Sequence, residues 1–459
     1  MLLLELPDGW MAQRTWIAAT LLRRLDPALQ LVPYAGVDWR LSVPGRPGTI
    51  CLPDDFFARA TAQRGLGAVV PHDPCAFHHD EVDEGRVRIP ILFGQAGRPA
   101  APAEAGQDYR FDLDLFGSAF WMLTRLEEDQ AAERDGHDRF SAHASHAWRN
   151  GYLMTPWVDE AVLVLKALMR RVWPGLTFAK SGFRQIPTHD VDDPFAHRFM
   201  GTAKALRLLA ANAVKARSPG MGIRLAGNYL GAQFGLDCAD PCDTFDWLMT
   251  QSEQGGLTSR FYFIPTQGSR PVDAEYALMA PPIRRLMQAI HGRGHEIGIH
   301  PSYESYRDPV LIAMEMAALR AALTAAGIDQ SDIGGRMHYL RWHHASTPQA
   351  QAAAGFAYDS SLGYADHPGF RCGTCHEFDY FDLTNGRATA LRMRPLIAME
   401  CTVMAKRYLG LGVSDAAHAM FTMLKERCRR VEGSFVLLWH NSYLFQPEER
   451  ALYAAVLAH

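Results

Sequence analysis

The sequence predicts an α/β protein in which a parallel sheet covered by helices follows a smaller N-terminal α/β module. Three observations point there. From Phe183 onward, short apolar runs alternate with helical patterns over about 275 residues, which is how a parallel sheet with crossover helices reads. Polar residues stand at the C-terminal ends of several runs, namely Asp190, His300, Asp359 and His440, where such sheets place their chemistry. Residues before about 155 have a different texture, with short apolar stretches broken by Pro and Gly.

In chain order, Val43 to Pro53 and Gly94 to Gly106 are the Pro- and Gly-punctuated stretches, the second reading as an exposed loop or linker. Leu113 to Leu126 carries apolar residues at helical spacing, and Asp159 to Val172 is a stronger amphipathic helix. The expected organisation is an N-terminal module over 1–155, a connecting helix within 156–182, and the sheet domain over 183–459. Within the last, the predicted strands are Arg184 to Asp190, Arg260 to Ile264, Glu296 to His300, Arg336 to Leu340, Phe356 to Asp359, Leu396 to Val403 and Phe435 to His440. The clearest helices between them are Pro282 to His291, Val310 to Ala325 and Asp415 to Val431. Seven or eight such units would close into a barrel.

Composition excludes several classes. The 459 residues are 48% hydrophobic and 21% charged, and 46 basic against 50 acidic side chains leave a net charge of -4. That balance gives no field to draw in nucleic acid or an anionic membrane. No stretch approaches the roughly 18 apolar residues of a membrane span. Glu5 and Asp8 interrupt the apolar start before an export signal can form. Eight cysteines are too sparse for a disulfide framework in so long a chain, so the expectation is a reduced, cytoplasmic protein.

Two clusters carry candidate chemistry. Thr188-His189-Asp190-Val191-Asp192-Asp193-Pro194 follows an apolar strand, and period-two alternation sets Asp190 and Asp192 on one side of it. One carboxylate could bind a cation while the other takes a proton; the alternative is a polar loop whose Asp193 caps a helix. In Gly294 to Glu304, His295 and His300 fall on opposite strand faces and make poor co-ligands. His300 and Glu304 could meet at one cation if the chain turns helically after Pro301, the alternative being a structural histidine and a solvated glutamate. Arg336 to Trp342 adds two arginines and a histidine on or beside one short strand, and Val436 to Asn441 ends an apolar strand in His440. A histidine so placed suits a general acid.

In order and spacing these pieces resemble the polysaccharide deacetylase family, carbohydrate esterase family 4. Its motifs are Thr-Phe-Asp-Asp, Gly-His-Glu-Ile-Gly running into His-Ser/Thr-x-x-His, Arg-x-Pro-Tyr, and a late Leu-x-Leu-His strand. They correspond here to Thr188 to Asp192, Gly294 to Glu304, Arg336 to Tyr339 and Leu437 to His440. The resemblance covers Phe183 to the C-terminus and implies a NodB-like, distorted (β/α) barrel of about seven strands. It further implies metal-dependent removal of an N-acetyl or related acyl group from an amino sugar, with an acetylated saccharide as partner. The N-terminal module resembles an uncharacterised extension found on some bacterial deacetylase-like proteins.

By this resemblance Asp190 is the base and Asp192 a metal ligand, as in a divergent branch where Asp-x-Asp replaces Asp-Asp. His300 is the second ligand of a divalent metal, zinc by expectation. Glu304 replaces the family's second histidine and is the expected third ligand, with His338 as its rival. Arg336 would keep Asp190 ionised and oriented, the backbone N–H near Tyr339 would serve the oxyanion, and His440 would protonate the departing amine. Glu400 is the expected acidic partner of His440. A metal-free amidohydrolase on the same barrel and a non-catalytic glycan-binding protein are the competing readings.

Other features are weaker. Cys372 to His376 fits a haem-attachment pattern without an export signal, and Cys238 and Cys242 lack a second pair for a zinc ribbon. His78 to Glu81, and His137, His143 and His146, read as solvated loops. Gly220 to Gly227 is not a phosphate loop, since no Gly-Lys-Ser/Thr follows.

Overall fold

The structure is a computed structural model describing residues 1–95, 103–130, 133–196, 198–199, 229, 231, 240–266 and 272–458. Gly220 to Gly227, Cys238, part of the Gly94 to Gly106 stretch and any long helix capped by Asp193 lie outside these residues.

The site is positioned by a five-stranded parallel sheet in the order Glu296–Ile299, Arg260–Phe263, Arg184–Val191, Ser434–Leu438, Ala398–Met399. Strands buried on both faces should read as continuous apolar runs, and Ser434–Leu438 is buried at every residue. Arg184–Val191 is buried from Gln185 to Val191 despite its polar residues, because those are satisfied internally. The Thr188 hydroxyl donates to the Leu437 carbonyl at 2.8 Å. His189 lies between the Trp439 carbonyl at 2.7 Å and Ser259 Oγ at 3.2 Å, stacked on Phe261. Burial pushes the His189 pKa down to about 3, so this member of the first cluster is a neutral structural histidine.

Beyond Ile299 the sheet continues only through single bridges, from Ile299 to Gly335 and from Gly335 to Asp359. Tyr358–Asp359 then pairs with Arg387–Met393, which pairs antiparallel with Phe378–Asp382. The expected closed barrel of about seven strands is therefore corrected to this open arrangement, with no closing ladder among the described residues.

Two predicted strands account for the difference. Arg336 to Leu340 cannot be a strand because Tyr339 and Leu340 have φ of 60° and 56°; the chain makes a 3-10 turn over His338–Leu340 instead. Leu396 to Val403 pairs only at Ala398–Met399 and then coils into the helix Glu400–Met404. Both halves of that run are buried, so hydrophobicity alone could not separate strand from helix. The other helices fall close to expectation, at Pro281–Gly292, Pro309–Ala325 and Asp415–Arg430.

The N-terminal half builds a mixed five-stranded sheet in the order Gln30–Tyr34, Leu3–Pro7, Trp39–Ser42, Thr49–Leu52, Tyr109–Arg110. His78 to Glu81, expected in a loop, lies on the strand Phe77–Val82 of a hairpin with Gly85–Pro90. His146 is buried rather than solvated. The helix Trp157–Val172 is not amphipathic in use: it is buried on nearly all sides, Asp159 accepting from Thr374 Oγ1 at 2.8 Å and from the Cys375 N–H at 2.9 Å. The Cys372 to His376 turn is thereby a packing element. Glu128, 1% exposed, pairs with Arg125 at 2.8 Å and with Arg371 at 2.7 Å, joining the two halves by a buried ion cluster. No described helix is long and apolar enough to cross a membrane.

Candidate metal centre and active site

Four of the five strands of this sheet lead into a polar group at one edge, and Arg260–Phe263, which runs into Ile264, does not. Asp190 and Asp192 end the first strand, His300 follows Glu296–Ile299, His440 follows Ser434–Leu438, and Glu400 follows Ala398–Met399. Arg336 follows the bridge at Gly335, where a Cβ would stand 2.6 Å from the Ile299 carbonyl oxygen, so the close approach needs glycine. Together with His338 and Tyr339 they surround a cleft of about 230 Å³, although Arg336 and Glu400 are set behind its wall.

Among the described residues, one group of side chains could hold a cation: Asp192, His300 and His338. His300 Nδ1 lies 2.6 Å from the Arg336 carbonyl, and His338 Nε2 lies 2.8 Å from the Val272 carbonyl. A carbonyl only accepts, so each of these nitrogens carries the hydrogen, and in the neutral rings His300 Nε2 and His338 Nδ1 are left with lone pairs. Those two atoms face each other at 2.9 Å. Asp192 Oδ1, buried and accepting no hydrogen bond, lies 3.3 Å from the first and 3.7 Å from the second. Three inward lone pairs repel unless something positive stands between them. Ligands about 2.0–2.1 Å from a tetrahedral centre stand about 3.3–3.4 Å apart, close to this triangle. The donor set of two imidazoles and a carboxylate thus fits zinc, with both rings oriented by backbone carbonyls.

The electrostatics agree. Burial would lower the His300 pKa, but Asp190 and Asp192 overcome it and raise it, so the site attracts positive charge. Burial lowers His338, which favours the neutral ring a ligand must be. For Asp192 burial acts upward, yet His338, His300 and His440 hold the carboxyl well below the usual range.

Glu304 does not join this group. The predicted helical turn from Ser302 does not form; a 3-10 turn begins only at Ser305, and Glu304 Oε2 lies 3.6 Å from Arg341. The third member of the described cluster is His338.

Beside the triad stand two charge pairs. Asp190 Oδ1 accepts from Arg336 Nη1 at 2.8 Å, while Oδ2 lies 3.7 Å from His300 Nε2. Arg336, fully buried, also donates to the Ser360 carbonyl at 2.9 Å and to Ser360 Oγ at 3.0 Å, which fixes the fork. His440 Nδ1 lies 2.6 Å from Glu400 Oε1, and its Nε2 lies 3.7 Å from Asp192. Burial would lower His440, but Glu400, Asp192 and Asp190 raise it well above the ordinary histidine value. Asp359 stays out of the cleft: its Oδ1 accepts from Ser361 Oγ and Gln351, and burial lifts it to about 6.

Sequence reasoning missed Arg139, Arg407, Tyr408 and Tyr443, which complete the cleft wall. Arg139 belongs to the N-terminal half, 200 residues from the Tyr339 carbonyl to which it donates at 2.9 Å. No local pattern marks such a residue.

Residues 72–174 match a family model described as a family of unknown function (DUF7033). No curated protein matches the chain. Among solved structures, the chain is similar to a putative polysaccharide deacetylase from Mycobacterium smegmatis at 19% identity and a TM-score of 0.39, over 62% of this chain and 84% of that one. A probable polysaccharide deacetylase from Pseudomonas aeruginosa PAO1 gives 13% and 0.34, over 62% and 85%. Puue allantoinase gives 12% and 0.33, over 61% and 84%.

Proposed function

We propose that this protein is a metal-dependent hydrolase that cleaves the amide bond of an N-acylated, most simply N-acetylated, amino sugar in a glycan or glycan precursor. The observation carrying the reading is the convergence of Asp192, His300 and His338 between an aspartate clamped by arginine and a histidine clamped by glutamate. Asp192, His300 and His338 would hold zinc, which when bound supplies a Lewis acid for the acyl carbonyl and an acidified water.

Asp190 takes a proton from the attacking water, with Arg336 holding the other carboxylate oxygen in place. Water oxygen bonds to the acyl carbon and the C–N bond breaks. The backbone N–H at Tyr339 is the donor proposed for the developing oxyanion. His440 gives its proton to the departing nitrogen, and Glu400 stabilises the imidazolium beforehand. Tyr339, Tyr408 and Tyr443 offer faces on which a sugar ring can stack.

The test is acetate release from a panel of N- and O-acetylated saccharides by zinc-loaded and metal-stripped protein, with Asp190→Asn alongside. Release that needs zinc and is lost in Asp190→Asn is expected. Equal release by stripped protein would mean a metal-free amidohydrolase. Saccharide binding without any release would mean a glycan-binding protein.

A further inference from the structure

His338 sits on an unusual piece of backbone. The two residues after it, Tyr339 and Leu340, are both left-handed, with φ of 60° and 56°, and neither is glycine. Side chains with a Cβ avoid that region, so two in succession persist only where surrounding contacts hold them. Within the turn itself, the Leu340 N–H donates to the Met337 carbonyl at 2.9 Å and the Arg341 N–H to the His338 carbonyl at 3.2 Å.

From its own half the turn is held by the His338 N–H donating to the Pro301 carbonyl at 3.3 Å and the Met337 N–H donating to Ser361 Oγ at 2.9 Å, and a second set of contacts comes from one loop of the N-terminal half, residues 135–139. Arg139 Nη1 donates to the Tyr339 carbonyl at 2.9 Å, and the His137 carbonyl accepts from Arg341 Nε at 2.9 Å. These two bonds bracket Leu340 from outside. The His137 ring packs against Tyr339 with centroids 4.8 Å apart, and His137 Nδ1 lies 2.9 Å from the Tyr303 hydroxyl. The loop is itself braced. Asp135 Oδ1 accepts the N–H groups of His137 and Arg139 at 2.9 and 3.0 Å, and its Oδ2 meets the Arg139 guanidinium at 2.8 and 2.7 Å. Arg139 therefore spans a fixed carboxylate on one side and a strained carbonyl on the other, which a planar fork of donors does better than an ammonium.

We infer that the 135–139 loop is a working part of the metal centre: through Arg139 and His137 it holds the left-handed turn that presents His338 to Asp192 and His300. Arg139 is a positioning residue, acting through the turn on a ligand it does not touch. This gives the N-terminal half a role in the chemistry of the sheet edge. The zinc consequence rests on the metal reading proposed above, whereas the conformational consequence does not.

The experiment uses the full chain as wild type, Arg139→Gln, Arg139→Lys and Ser141→Ala. Ser141 ties the neighbouring segment to Asp366 at 2.7 Å without touching the turn, and so controls for general loosening between the halves. Zinc affinity is measured by competition with a chromogenic chelator, and amide hydrogen exchange is followed over residues 337–341, with the buried strand Arg184–Val191 as internal reference for folding. Orienting contacts behind a metal ligand are typically worth about 10- to 100-fold in affinity. Arg139→Gln should therefore lose about tenfold or more, with faster exchange in 337–341 and an unchanged reference strand. Arg139→Lys, keeping the charge but not the fork, should fall between, and Ser141→Ala should match wild type. Unchanged exchange in Arg139→Gln overturns the clamp, and faster exchange at unaltered zinc affinity overturns its link to His338. An equal loss in Ser141→Ala overturns the specific role of Arg139. If wild type binds no zinc, the metal reading falls and exchange alone decides whether the clamp stands.

Discussion

Replacing Glu128 by Gln tests how firmly the N-terminal half is fastened to the sheet that carries the site. Glu128 is buried between Arg125 and Arg371. Burial alone would raise its pKa from 4.5, but Arg371 and Arg125 more than compensate and hold it at about 2. A folded-state pKa below the unfolded value contributes stability that is complete well above pH 4.5 and is lost as pH falls towards 2. A difference of about 2.5 pH units at 1.36 kcal/mol each corresponds to about 3 kcal/mol at neutral pH. Glutamine carries no charge at any pH and lacks this term. By the same linkage, the stability gap between wild type and Glu128→Gln should narrow by about 1 kcal/mol between pH 6 and pH 3.5. Urea unfolding of both proteins at the two pH values measures it. A gap independent of pH would refute the assignment of a charged, doubly paired Glu128.

Three further outcomes follow from the site. Asp190→Asn should bind zinc like wild type and lose turnover by roughly 100- to 10,000-fold, read by zinc titration and acetate release. Glu400→Gln removes a charge-assisted hydrogen bond worth about 1.5–3 kcal/mol from protonated His440, so the His440 titration midpoint, followed by NMR of labelled histidine, should fall by about one to two pH units. Because the acid must be protonated, the alkaline limb of the pH–rate profile should move down with it; an unmoved midpoint would contradict the pairing. His338→Ala should weaken zinc by at least about 100-fold, while Glu304→Ala should stay within about threefold.

Most of the sheet was legible because parallel strands buried on both faces leave apolar runs that end in polar residues. Arg184–Val191, Arg260–Phe263, Glu296–Ile299 and Ser434–Leu438 all lie where such runs predict them. The same property hid the break after Met399, since a buried helix is as apolar as a buried strand. The turn at His338 was illegible for another reason: left-handed residues are ordinarily announced by glycine or asparagine, and here they are tyrosine and leucine. The family resemblance favours Glu304, which stands in the position of the second histidine, and leaves His338 as its rival. Spacing of four residues made Glu304 attractive, but that spacing matters only on a helix, and the helix begins later, at Pro309 behind the Asp308 cap. Asp190, His300 and His440 are legible as strand ends and Asp192 as the same-face neighbour of Asp190, whereas Arg336 and Glu400 enter only through the family resemblance. Arg139 is legible in neither way, because only the packing of the two halves brings it to the cleft.

The central claim is that Asp192, His300 and His338 form one metal site. X-ray absorption at the zinc edge, on full-length protein loaded with one equivalent of zinc and on its His338→Ala variant, tests it most directly. The account predicts stoichiometric zinc with two imidazole ligands and oxygen donors at about 2.0–2.2 Å in the wild type, and one imidazole fewer in the variant. Absence of stoichiometric zinc, or a wild-type spectrum that His338→Ala leaves unchanged, would contradict it.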